Sequence, residues 1–344
     1  MPAKKKFTLL AVLAITLILL EVALRVSGLL STINEKTLGE YRSPYNQHFP
    51  SWFFIHAGNT SFKNTHPEFS YLHKVDSNGL IRTNTGSRSD DTLRVLVMGD
   101  SFTFGFGAPM DSSWPVLLTT LFKNRCAGAV EVINASMPGS DVLFEFMLYK
   151  EKLSKTIKPN IVLIMINSTD IQEVAVRGGM ERFKKDGSTV TKKAPWFEPF
   201  YHYSYVARYL LKMFGIDNEF LFRSKKEDEI FDKAAEKIKN CITEFEKEAT
   251  NNNTTFIVLP CPMPYEFSKK TKQLEIYSNK LRENKNVYFA LDTLLRDYYK
   301  EHDIHKDYWP IDGHLNSNGY RVLAENVYEV LLRENTDVRA VCTK

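Results

Sequence analysis

The chain has 344 residues, of which 43% are hydrophobic and 25% charged, a composition that supports a full buried core in one large domain plus attachments. Its 45 basic residues against 41 acidic ones leave a formal charge of only +4, without the basic stripe of a phosphate-tracking surface, which argues against nucleic acid as a partner. Cys126, Cys241, Cys261 and Cys342 are too scattered for a disulfide scaffold and lack the paired spacing of a zinc site, so they read as buried thiols or one incidental bridge.

Lys4, Lys5 and Lys6 precede an unbroken apolar run from Phe7 to Leu20, and apolar residues resume after Glu21 through Leu30. The uncharged part has the length of a signal peptide, but no A-x-A cleavage site follows, and the whole stretch is long enough to cross a bilayer. We read residues 1–30 as an uncleaved signal anchor, a transmembrane helix that makes the membrane a partner. Glu21 and Arg25 stand one helical turn apart and share a face, where they pair or reach toward the headgroups. With the lysines held inside, everything after about residue 30 lies outside the cytoplasm.

Residues 31–92 are polar and aromatic, carry turn signals at Ser43-Pro44, Asn78-Gly79 and Thr85-Gly86, and show no sustained helical period. They read as a stalk and a lead-in that packs on the main domain. From Leu93 short apolar runs alternate with amphipathic stretches. Strands are expected at Leu93–Met98, Val130–Asn134, Ile161–Asn167, Thr255–Leu259 and Val287–Ala290. Helices are expected at Trp114–Arg125, Val142–Ile157, Ile230–Ala249, Lys269–Glu283 and Ser317–Arg333. This alternation predicts a parallel sheet covered on both faces, with the chemistry at the carboxyl ends of its strands. The domain therefore runs over 93–344, with an insertion at about 171–229.

Ser101 follows the first of these strands, in Gly99-Asp100-Ser101-Phe102-Thr103-Phe104-Gly105. A serine hydroxyl attacks only when a base takes its proton, and the base is an imidazole oriented by a carboxylate. Asp312-Gly313-His314, just before the last helix, offers both, with one residue between them so that the two side chains point the same way. An oxyanion site fits two further turns: Asn134 to Gly139 after the second strand, and Asn167-Ser168-Thr169-Asp170 after the third. The plainer alternatives are that Asp100 or Ser101 caps a helix, that Gly139 is a turn glycine, and that Asn167 or Thr169 is a cap. His302 and His305 form an H-x-x-H spacing but lack a third ligand in fixed geometry, so no metal is expected. The Gly105–Gly107 stretch lacks the ending of a phosphate loop.

Taken together, Gly99-Asp100-Ser101, Gly139, the third turn and Asp312-Gly-His314 resemble the four blocks of the SGNH (GDSL) hydrolase superfamily, over about Leu80 to Leu332. The resemblance implies a flavodoxin-like three-layer α/β/α fold with a mostly parallel five-stranded sheet, and no cofactor. It implies Ser101 as nucleophile, His314 as base and Asp312 as its acid. Its oxyanion hole would use the N–H groups of Ser101 and Gly139 and an asparagine amide. Thr169 stands where that asparagine belongs, so either its hydroxyl donates or Asn167 substitutes. The single residue between Asp312 and His314 is similar to the alginate-type O-acetyltransferase branch.

The insertion interleaves Trp196, Phe197, Phe200, Tyr201, Tyr203, Tyr205 and Tyr209 with lysines and Arg208. These aromatics either stack on sugars, wall an acyl pocket, sit at a membrane interface, or form a satellite core under a long loop. The alternating charges of Lys225–Lys239 read as a solvated helix face. Three functions remain open: an esterase acting on a small-molecule, glycan or lipid ester, an acyltransferase to a sugar hydroxyl using the same serine, and a non-catalytic binding protein on the same fold.

Overall fold

The computed structural model describes residues 3–32, 35–36, 39–51, 56–82, 91–216, 220–268 and 272–342. The Thr85-Gly86 turn lies outside the described residues. In chain order the elements before Ser101 are α1 (Ala3–Ser27), β1 (His48–Phe49), β2 (Ser61–His66), β3 (Phe69–Lys74), β4 (Ile81–Arg82) and β5 (Leu93–Met98). After it come α2 (Ser101–Phe104), α3 (Trp114–Arg125), β6 (Val130–Asn134), α4 (Val142–Leu148), β7 (Ile161–Ile166) and α5 (Thr169–Arg177). A π-helical turn at Tyr149–Leu153 continues α4. The stretch expected as an insertion holds β8 (Thr189–Val190), α6 (Glu198–Tyr203) and α7 (Tyr205–Met213). The chain ends with α8 (Glu227–Asn251), β9 (Thr255–Pro260), α9 (Pro264–Ser268), α10 (Lys272–Leu281), α11 (Ala290–Glu301), α12 (Ser317–Glu334) and α13 (Thr336–Cys342).

The main sheet has five strands in the order β4-β6-β5-β7-β9, parallel except for β4 at one edge. Its strands are buried on both faces, and the period of two sorts their side chains into two cores. Leu96, Met98, Val162 and Ile164 face α4, α5 and α8, whereas Val95, Val97, Leu163 and Met165 face α3, α11 and α12. Each large side chain removed from water contributes about 1.5–3 kcal/mol. The fold is thus a three-layer α/β/α sandwich, as expected.

The fifth strand is a correction. At Val287–Ala290 there is only one parallel bridge, Val258 to Val287, because an Asx turn at Asn284 and Asn286 precedes it and α11 starts at Ala290. The fifth place is taken at the opposite edge by β4, where Ile81 pairs with Asn134 and Arg82 with Ile133, antiparallel to β6. The described residues of the segment 31–92 also hold more regular structure than its polar texture suggests. β2 and β3 form a six-residue antiparallel hairpin closed at Pro67-Glu68, and β1 pairs with β8 of the insertion. Cys126 and Cys342 form a disulfide that ties the end of α3 to the end of the chain, while Cys241 and Cys261 are buried thiols. The charged stretch Lys225–Lys239 lies largely on α8, which buries Phe231, Ala234, Ile238 and Ile242 and carries surface pairs such as Glu229 with Lys233.

Candidate active site

Ser101 is the first residue of α2, directly past the carboxyl end of β5. The turn between strand and helix is possible only because residue 99 is glycine. Its φ is +154°, and a Cβ there would lie 2.2 Å from Thr103 Oγ1 and 2.9 Å from the Met165 carbonyl. Asp100 caps α2 by accepting from Phe102 N at 2.9 Å, which leaves the Ser101 hydroxyl free of capping duty.

The last block meets it from the other side. Gly313, with φ +84°, turns the chain between Asp312 and His314 so that both side chains point toward Ser101. His314 Nδ1 lies 2.6 Å from Asp312 Oδ1, and His314 Nε2 lies 2.7 Å from Ser101 Oγ. An ionised carboxylate only accepts, so Nδ1 carries the proton donated to Asp312 and Nε2 is left to accept from the serine hydroxyl. The rings of Phe102 and Phe106 pack on the imidazole with centroids at 4.7 and 4.9 Å, fixing its plane. Burial acts to raise the Asp312 carboxyl, but the hydrogen bond and charge of His314, with His66 behind, hold it below the usual carboxylate value.

Two residues that carry no signal in the sequence support the Asp312 loop. Glu68, at the tip of the β2–β3 hairpin, accepts from the backbone N–H of Ile311 at 3.0 Å and of Asp312 at 2.8 Å. His66 is buried beside it, with Nε2 4.0 Å from the second Asp312 oxygen. Because Glu68 N donates to His66 Nδ1, a neutral His66 ring carries its own proton on Nε2, facing Asp312.

The Gly139 turn is tied beside Ser101 through the Gly99 carbonyl, which accepts from Met137 N and from Ser140 Oγ, both at 3.0 Å. The N–H groups of Ser101 and Gly139 donate no hydrogen bond among the described residues. That of Ser101 is one of the orphan donors at a helix start. In the third block the side chains bond to one another. Thr169 Oγ1 donates to Asn167 Oδ1 at 2.6 Å, which engages its one proton, and Asn167 Nδ2 donates one of its two protons to Asp100 Oδ2 at 2.8 Å. Asn167 is itself buried.

Beneath these turns lies a cluster of buried acids. Asp141 is held low because its attraction to Arg182 and Arg177 outweighs the effect of burial. Glu145 and Asp170 go the other way: burial, and then neighbouring carboxylate charge, pushes both well above the usual range. Ser140 Oγ lies 2.8 Å from Glu145 Oε1 and shares its one proton between that oxygen and the Gly99 carbonyl, and Asp170 accepts from the N–H groups of Asn167 and Val142. A cavity of about 280 Å³ opens next to Gly139, lined by Phe49, Met137, Pro138, Phe144 and Arg177 among others. His302 is stacked on Tyr298 and bonded to its carbonyl, and no group of three or more His, Cys, Asp or Glu able to hold a metal occurs among the described residues.

No protein-family model and no curated protein matches the sequence. Among solved structures, the chain is similar to the lipase Lip_vut3 from a goat rumen metagenome, at 14% identity and a TM-score of 0.45, over 69% of this chain and 96% of that one. It is similar to a catalytic mutant of the acetylxylan esterase Axe2 from Geobacillus stearothermophilus, at 13% identity and a TM-score of 0.44, over 72% and 94%. A member of the lipolytic protein G-D-S-L family from Veillonella parvula matches at 14% identity and a TM-score of 0.41, over 70% and 99%. Likenesses at this level carry no argument about chemistry, which rests on the geometry of the site.

Proposed function

We propose that this chain is a serine ester hydrolase of the SGNH type, with Ser101 as nucleophile, His314 as general base and Asp312 as the acid that orients it. The observation that carries this reading is the continuous hydrogen-bonded line from Asp312 through His314 to Ser101. In the first step Ser101 Oγ attacks the ester carbonyl while His314 Nε2 takes the hydroxyl proton, and Asp312 stabilises the imidazolium that results. The unpaired N–H groups of Ser101 and Gly139 stabilise the negative oxygen of the tetrahedral intermediate. His314 then gives its proton to the departing alcohol, and water, activated by the same imidazole, releases the acid from the acyl-enzyme. The assembled triad supports a catalyst over a binding protein on the same fold.

We infer that α1 anchors the domain on the outer side of a membrane. The lysines before it support that orientation, and the Cys126–Cys342 disulfide supports an oxidising compartment. α1 is long and apolar enough to cross a membrane.

Transfer of the acyl group to a sugar hydroxyl is the second reading, favoured by the single residue between Asp312 and His314 and by the cavity beside Gly139, which has room for an acceptor. Water is the default partner because a transferase must orient its acceptor well enough to outcompete it. The two readings are separated by supplying an acetyl donor with and without a panel of oligosaccharides and following free acetate and acetylated sugar by mass spectrometry. The hydrolase reading expects free acetate to dominate in both arms. Acetylated sugar replacing it at millimolar acceptor would establish transfer, and no turnover of any ester would remove both.

A further inference from the structure

The insertion divides its aromatic side chains between two environments. Tyr41, Tyr201 and Tyr205 surround the Arg208 guanidinium at 5.5, 5.0 and 4.5 Å, and Arg208 also pairs with Glu35, so these rings form a small satellite core. Others face outward and remain largely in contact with solvent: Trp196 is 82% exposed, Phe214 78%, Tyr203 71% and Met213 68%. On α7 the residues Val206, Tyr209, Leu210 and Met213 recur at the spacing of one helical face, opposite the buried Tyr205 and Arg208.

This apolar face is joined to α1 by an unusual lock. The Glu21 carboxylate accepts from Ser204 Oγ at 2.9 Å and from the N–H groups of Tyr205 and Val206 at 3.0 Å, capping α7 from a different helix. Arg25 completes the ring of partners, donating to Glu21 at 2.7 Å and to the Tyr203 carbonyl, with its guanidinium 4.8 Å from the Tyr205 ring centroid. The uninterrupted apolar stretch from Phe7 to Leu20 covers roughly 21 Å at about 1.5 Å per residue, less than the hydrocarbon thickness of about 30 Å. A span by α1 therefore draws Glu21 into the outer edge of the apolar layer, where an unpartnered carboxylate is costly. Its partners are the first residues of α7, so α7 must go with it.

We propose that α6 and α7 are a second membrane-contacting element, seated in the outer interfacial layer of the bilayer beside α1, with Leu210, Met213 and Phe214 toward the lipid and Trp196 and Tyr203 at the headgroups. This placement follows the behaviour of interfacial amphipathic helices and aromatic belts. It rests on the reading of α1 as a membrane span. Its consequence is a catalytic domain held in a fixed orientation on the membrane rather than swinging on a stalk.

The test uses the full chain in vesicles of phosphatidylcholine and phosphatidylglycerol. Nitroxide labels are attached at Met213→Cys, at Val12→Cys in the middle of α1 and at Lys247→Cys on α8. Collisions with oxygen and with a water-soluble nickel chelate report lipid and water exposure. The native thiols Cys241 and Cys261 are buried, and the remaining two cysteines are bonded, so the labels go to the introduced sites. The expected result is lipid-like accessibility at Val12 and Met213 and water-like accessibility at Lys247. Met213 behaving like Lys247 while Val12 stays in lipid would overturn the proposal and leave the anchor standing. Water-like accessibility at Val12 as well would overturn the anchor and the proposal together. Adding Glu21→Ala should remove the lipid protection of Met213 and leave Val12 unchanged; retained protection would overturn the lock.

Discussion

On the His314 side of Ser101, each polar group is aimed along one line and backed by another, from Glu68 to the Asp312 backbone, from Asp312 to His314, and from His314 to the serine. On the Gly139 side the side chains are bonded to one another instead, with Thr169 on Asn167 and Asn167 on Asp100, and the Ser101 and Gly139 backbone N–H groups make no bond among the described residues. The difference follows from what each half must do. Proton transfer needs a side chain whose tautomer and plane are fixed, whereas stabilising an oxyanion needs donors that are unengaged until the charge appears. Buried side chains seldom stay unengaged, and backbone groups at a helix start can.

The sharpest way to break the comparison is on the triad side. Asp312→Asn should lower kcat by about 10⁴, because the amide cannot hold His314 in the tautomer that accepts from Ser101. Steady-state hydrolysis of an aryl acetate reads this directly, and a loss under tenfold would mean that a different group orients the imidazole. Glu68→Ala comes next, since it leaves every triad member in place and removes only the clamp on the Ile311 and Asp312 backbone. A loss of about 10–10² in kcat with little change in KM is expected from loosened geometry. Unchanged kcat would show that the loop holds its shape without the hairpin.

The oxyanion side should respond less. Thr169→Val removes a hydroxyl whose proton is already given to Asn167, so kcat should stay within about tenfold of the parent. A loss of about 10²–10³ would make Thr169 a true oxyanion donor and show that its bond to Asn167 is exchanged for one to substrate. The smallest effect is one of stability with pH, and the two halves should have opposite signs. Asp312 has a lowered value in the fold, so its contribution is present above the ordinary carboxylate pKa and is lost as pH falls through the folded value. Glu145 has a raised value, so the folded chain keeps a proton that the unfolded chain releases. That contribution is complete below the ordinary value of 4.5 and erodes as pH rises through the folded one. Glu145→Gln should therefore flatten the fall in thermal midpoint between acidic and neutral pH, while kcat at neutral pH is retained. An unaltered slope would mean that Glu145 is ionised in the fold.

The hydrogen-bonded line of Asp312, His314 and Ser101 was legible because each end has a local mark, a glycine turn after a buried strand and an acid and an imidazole separated by one glycine, and because the two marks together resemble a known family. Periodicity likewise located β5, β6, β7 and β9, whose apolar runs have no other explanation. β4 escaped because two residues carry no period, and the apolar run at Val287 misled because burial between a turn and a helix looks like a strand. Glu68 and His66 left no trace, since their role arises from a hairpin tip meeting a loop far away in the chain. The state of Asn167 and Thr169 was equally out of reach. Sequence lists their donors, but only the fold decides which neighbours those donors have already found.

The central claim is that Ser101 is the nucleophile, and labelling of the full chain by a serine-directed fluorophosphonate, followed by peptide mapping, tests it most directly. A single adduct on Ser101 is expected, lost in Ser101→Ala and strongly slowed in His314→Ala, with hydrolysis lost alongside it. An adduct on another residue, or ester turnover that survives in Ser101→Ala, would contradict it.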